Sequence, residues 1–107
     1  MADREYLCLT LTANAGESEA AFKSRLTAAW THLLRTAPDT YEAVFAEAKQ
    51  FETTNGRVSR AYMVEAGAAE SVAETLVSNG VDVRPIDADD VYSKYEASGS
   101  EWFQIPH

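Results

Sequence analysis

Cysteine is nearly absent: Cys8 is the only one in 107 residues. An internal disulfide is excluded. With no Cys-x-x-Cys pair and no Cys/His cluster, there is no motif for a structural zinc. Nothing in the chain calls for an oxidising compartment, and a cytoplasmic setting is the expectation. The five glycines are scattered, so no glycine-rich loop follows a strand at the spacing that cradles phosphate. No cofactor is expected. Long apolar runs are also missing. The mixed charges of Met1-Ala2-Asp3-Arg4-Glu5 lead into a stretch too short for a signal peptide's apolar region or for a bilayer span of about 20 residues. No membrane partner is expected.

Bases are scarce in the second half. Residues 1–60 carry eight acids against seven bases, whereas residues 61–107 carry nine acids against only Arg84 and Lys94, and the net charge is −8. Affinity for nucleic acid draws on clustered Lys and Arg. The second half has no such cluster, so no direct nucleic-acid binding is expected, and a basic protein surface is the better-matched partner.

What is present begins with Asn55-Gly56, set between two strand-like runs, Phe51–Thr54 and Arg57–Val64. A type I′ hairpin turn needs φ > 0 at both central residues, and Asn and Gly reach that region most cheaply. Before the hairpin, Leu7, Leu9 and Leu11 alternate with Tyr6, Cys8 and Thr10 in a strand whose leucines should face a core. Cys8 then falls on the opposite, mixed face. A nucleophilic cysteine needs a base or helix terminus beside it, and none is visible, so Cys8 reads as structural.

Ser18 is a candidate N-cap for a helix with Phe22, Leu26, Ala29, Trp30 and Leu33 at core spacing. His32 flanks that stripe. Pro38 should end the helix, and Asp39-Thr40-Tyr41-Glu42 has capping-box spacing ahead of Tyr41, Val44, Phe45 and Ala48, which predicts a second, shorter helix. In the second hairpin strand, Val58, Arg60, Tyr62 and Val64 alternate with Ser59, Ala61, Met63 and Glu65. Neither face is cleanly polar. A further helix carries Ala69, Val72, Ala73, Leu76 and Val77 and stops at Asn79-Gly80, and 81–86 is a short strand that Pro85 confines to an edge or cuts short.

The resulting order, β-α-(α)-β-β-α-β, predicts one α+β domain over 1–107. Its core, 4–86, resembles the ferredoxin-like antiparallel sheet with helices on one face, and 87–107 form a C-terminal helix and strand extension. Sheet-to-sheet dimers of the α+β barrel type share that plan. A homodimer is therefore expected, joined by the mixed face that bears Tyr6, Cys8 and Met63.

The extension concentrates acid and aromatic side chains. Asp87, Asp89 and Asp90 invite a calcium reading, but an EF-hand needs Gly at its sixth place and Glu at its twelfth, where Tyr92 and Ser98 stand. No metal is expected. Helix capping accounts for the acids, with Val91, Tyr92 and Tyr95 on the short helix that follows. Tyr92, Tyr95 and Trp102 among Asp87, Asp89, Asp90, Glu96 and Glu101 also suit a surface that holds Lys or Arg by charge and cation–π attraction. The functional expectation is a non-catalytic acidic interaction module that binds a basic protein surface, an inhibitor competing with nucleic acid for its partner. The alternative is a small dimeric enzyme or ligand binder with a pocket between sheet and helices, using His32 or a tyrosine.

Overall fold

Leu9 and Leu11 are fully buried in β1 (Glu5–Thr12), and the rest of the chain is arranged around that strand. The computed structural model describes residues 5–93 and 101–105. After β1 come α1 (Glu19–Thr36), α2 (Pro38–Tyr41), β2 (Val44–Ala48), β3 (Glu52–Thr54), β4 (Arg57–Glu65), α3 (Ala69–Ser78), β5 (Asp82–Val83), β6 (Val91–Ser93) and β7 (Trp102–Gln104). The class is α+β. Among the described residues seven strands join one antiparallel sheet in the order β5-β1-β4-β2-β7, with β3 continuing beside β4 and β6 beside β1.

Capping and periodicity place α1. The Ser18 hydroxyl accepts the Ala21 N–H at 3.1 Å, and the helix buries Phe22, Leu26, Ala29 and Leu33 on one stripe. That stripe and Val72 and Leu76 of α3 pack on the sheet face made by Leu9, Leu11, Tyr62 and Val64. Each such side chain contributes about 1.5–3 kcal/mol on full burial. This is the main core. At the foot of α1, Arg25 donates to Glu17 through Nε and Nη2 at 3.0 and 2.8 Å, and its Nη1 reaches the Gly80 carbonyl. The guanidinium holds the Glu17 carboxyl below its usual range.

The hairpin turn has the expected backbone, with φ of 54° at Asn55 and 76° at Gly56. Its first strand is shorter than expected. Phe51 lies outside β3, and its ring meets Phe22 edge-on at 6.2 Å. Gly80 is left-handed at φ 81° and closes α3, whereas the strand expected over 81–86 pairs only at Asp82 and Val83, on the sheet edge.

Two predicted helices are strands or turns instead. The capping box at Asp39 does not form: α2 is a single turn with Ala37 at its N-cap, no side-chain cap bond, and Pro38 at its start. Val44–Ala48 then pairs with β4. Val44 and Phe45 suit an extended backbone, and the helical spacing of Val44, Phe45 and Ala48 is also satisfied by a bulged strand. A bulge between Val44 and Ala46 sends Val44 into the main core and leaves Phe45 against Tyr6, at 4.7 Å between ring centroids. Among the described residues of the extension, Ala88–Asp90 forms a helical turn of the tighter 3-10 kind, and Val91 and Tyr92 pair with β1 as β6. Tyr95 lies outside the described residues.

Candidate functional site

Strand pairing sets which side chains share the sheet face opposite the helices. Tyr6 stands beside Glu65, Cys8 beside Met63, Thr10 beside Ala61 and Thr12 beside Ser59. One end of this face is covered from within the chain. Tyr6, Ala46 and Met63 are buried there under Cys8, Phe45, Tyr92 and Trp102. Towards the hairpin the side chains become small, and the cover supplied by the described residues stops.

The neighbouring edge is broken at the same place. β2 pairs with β4 as far as Glu47 and Tyr62, and β3 resumes at Glu52 opposite Ser59, so Arg60 and Ala61 face a gap in the ladder. Arg60 fills part of it by donating from Nε to the Ala48 carbonyl at 2.8 Å. The C-terminal segment meets the gap: Ala48 pairs with Trp102, and the Lys49 N–H donates to the Glu101 carbonyl at 3.0 Å. The result is a cleft of about 430 Å³ whose floor is Thr10, Ser59 and Ala61 and whose walls include Lys49, Gln50, Glu52, Arg60, Glu101 and Trp102. Ser59 is 7% exposed, and its hydroxyl has no hydrogen-bond partner among the described residues.

The lining carries both signs, Glu52 and Glu101 against Lys49 and Arg60, and its two carboxylates and indole ring are the groups that could hold a cation. Ammonium and guanidinium groups gain from charge-assisted hydrogen bonds to carboxylates and from the face of a tryptophan. Activating a serine needs a base in hydrogen-bond reach, and Ser59 has no such contact among the described residues.

The residues singled out from sequence are distributed as follows. Glu101 and Trp102 line the cleft. Asp87, Asp89, Asp90 and Tyr92 lie towards the opposite edge of the sheet, in and beside β6. There Asp87 accepts the Asp89 N–H at 2.9 Å, and Asp90 pairs with Arg84. Tyr92 is partly buried beside Tyr6. Tyr95 and Glu96 lie outside the described residues. Of the expected dimer residues, Tyr6 is 3% exposed and Met63 0%, so a second copy on this face would meet their cover rather than the two side chains themselves. Burial pushes the Cys8 thiol above its ordinary range, and the Asp90 carboxylate adds to the effect.

His32 is exposed on α1. Tyr62 sits in the main core under Trp30, at 4.9 Å between ring centroids, and burial pushes its phenol up to about 12. Sequence reasoning missed Thr10, Gln50, Glu52 and Ser59. Their signal was the run of small second-face residues Thr10, Ser59 and Ala61 opposite the polar pair Lys49-Gln50, which interrupts an otherwise apolar stretch.

Among the described residues no group of three or more His, Cys, Asp or Glu is placed to hold a metal, and no helix is long and apolar enough to cross a membrane. No family model, no curated protein and no solved structure matches the chain.

Proposed function

We propose that the chain is a non-catalytic interaction module that takes a Lys or Arg side chain of a basic protein partner into the second-face cleft. The observation that carries this reading is the cleft's lining, in which Glu52, Glu101 and Trp102 flank the open Ser59 hydroxyl. The surrounding surface has the matching sign. Glu70, Glu74, Asp87 and Asp89 are exposed in the half of the chain that carries only two bases. Such a surface would compete with nucleic acid for a basic partner and so act as an inhibitor, because acid stands where phosphates would sit.

The same reading takes the plan as ferredoxin-like. Its support is the order β5-β1-β4-β2, all antiparallel, with a helix between β1 and β2 and another between β4 and β5. It keeps the cytoplasmic setting, for which the support is the lone thiol. A homodimer remains part of it. Support for that is the part-exposed apolar cover of Phe45, Tyr92 and Trp102.

The test is calorimetric titration of the full chain with a synthetic lysine-rich peptide. Binding should weaken at least tenfold between low and physiological ionic strength (about 0.15 M). It should fall by a similar factor in the Glu52→Gln, Glu101→Gln double variant with the melting temperature unchanged. Unchanged peptide affinity in that variant would sink the reading.

A further inference from the structure

We infer that the corner on the helix side of the strand break, between the first turns of α1 and the gap at residues 49–51, binds a small carboxylic acid with a flat apolar body. It lies across the sheet from the proposed cation-binding cleft and shares Lys49, Gln50 and Arg60 with it. Arg60 carries the argument. Its side chain is 8% exposed, and a guanidinium so deeply placed is ordinarily paired through most of its N–H groups. Here Nε alone is bonded, to the Ala48 carbonyl. The nearest carboxylate oxygen, Glu47 Oε1, stands 3.6 Å from Nη2, beyond hydrogen-bond reach. Among the described residues the outer edge of the fork has no acceptor.

Arg60 lines a corner of about 440 Å³ together with Lys23, Lys49, Gln50, Phe51 and Phe103. Two aromatic rings frame the cations: the Arg60 Cζ lies 4.6 Å from the Phe51 centroid, and the Lys49 Nζ lies 5.1 Å from that of Phe103. Phe103 is 50% exposed. Three cations converge here in a chain of net charge −8, so a general need for surface charge does not account for them.

The geometry selects the anion. A planar fork matches a carboxylate through two parallel N–H···O bonds. A phosphate dianion is less well matched, since Glu19 also lines the corner and Glu47 stands beside Arg60. The flat body would lie against Phe51 and Phe103, where ring-to-ring contact adds to area burial.

Phenylacetate, 2-phenylethanol and inorganic phosphate are the probes, each titrated into the full chain and followed by amide and arginine side-chain NMR. Phenylacetate should shift Lys49, Phe51, Arg60 and Phe103, and the neutral alcohol and phosphate should each bind at least about tenfold more weakly. Arg60→Lys keeps the charge and loses the fork, and should weaken phenylacetate about tenfold, or about 1.4 kcal/mol. If that variant does not fold, Lys49→Gln, at an exposed position, serves in its place and should weaken phenylacetate severalfold. Equal binding of acid and alcohol, preference for phosphate, no shift at millimolar phenylacetate, or full affinity in the folded variants would each overturn the inference.

Discussion

The two faces of this sheet solve the same problem differently. On the helix side, Leu9, Leu11, Tyr62 and Val64 meet Phe22, Leu33, Val72 and Leu76, and nearly every large side chain is fully buried. On the other side, the chain has no helix among the described residues, and the cover comes from single aromatic residues: Phe45 from a bulge, Tyr92 from β6 and Trp102 from β7. Three rings cannot cover a whole face. They close the end where Tyr6 and Met63 are large and leave open the end where Thr10, Ser59 and Ala61 are small. The lesson is one of division of labour. The packed face holds the fold, and the half-covered face has room for a partner.

The sharpest break of this comparison is to remove one large side chain from each face. Phe22→Ala empties a fully buried site on the helix face and should cost about 3–5 kcal/mol. Trp102→Ala removes a partly buried cover and should cost roughly 1–3 kcal/mol, since part of its ring already meets water. Urea melts of both variants give the order. Equal losses would mean that the second face stabilises as much as the first, and the division would fail.

A smaller effect belongs to the turn that joins the two parts of the edge to β4. Gly56 has φ of 76° with open space around its Cα, so Gly56→Val is opposed by backbone strain rather than by a clash. The expected cost is about 1–2 kcal/mol. A melting temperature equal to that of the parent would argue against the I′ turn.

Cys8 probes the covered end of the second face without altering it. Its folded pKa lies above the ordinary 9.0, chiefly through burial. The folded chain therefore keeps the proton at pH values where the unfolded chain has begun to release it. This contribution to stability is present below about pH 9 and is lost as the pH rises through the folded value. A thiol reagent should react slowly with the native protein at pH 7–8, and at the ordinary rate after denaturation. Fast native reaction would show that Phe45, Tyr92 and Trp102 do not shield the thiol.

Much of the packed face was legible because its signals are local. Leucine alternation gave β1, the Ser18 cap and the Phe22–Leu33 stripe gave α1, and Asn55-Gly56 gave the turn. The edge was not legible, because its signals conflict. Asp39-Thr40-Tyr41-Glu42 has capping spacing, yet Pro38 takes the first helical position and the pairing of Val44 and Ala46 with β4 outweighs the weak helical preference of the segment. Tertiary pairing also decided the extension, where Asp87 caps a 3-10 turn and Val91 pairs with Leu7. The cleft itself arises from the break between β2 and β3, a register effect that no single strand pattern reveals. Only Glu101 and Trp102 of its lining were marked by residue type.

The smallest expected effect on stability carries the most information about the open end. Ala61 is partly exposed on the cleft floor beside Thr10. Ala61→Leu should therefore fill the cleft without the 1–3 kcal/mol or so of strain that overpacking brings to a closed core, and the melt should shift by no more than about 0.5 kcal/mol. A lysine-rich peptide should nevertheless lose at least tenfold in affinity, because the added side chain takes the place of the cation between Trp102 and the two carboxylates. Ser59→Ala should be equally quiet in the melt, since its hydroxyl has no protein partner to lose among the described residues, and should weaken the peptide by less. A large destabilisation in Ala61→Leu would show that this end is as tightly packed as the other face. Retained peptide affinity in a stable Ala61→Leu protein would place the basic partner somewhere other than the cleft.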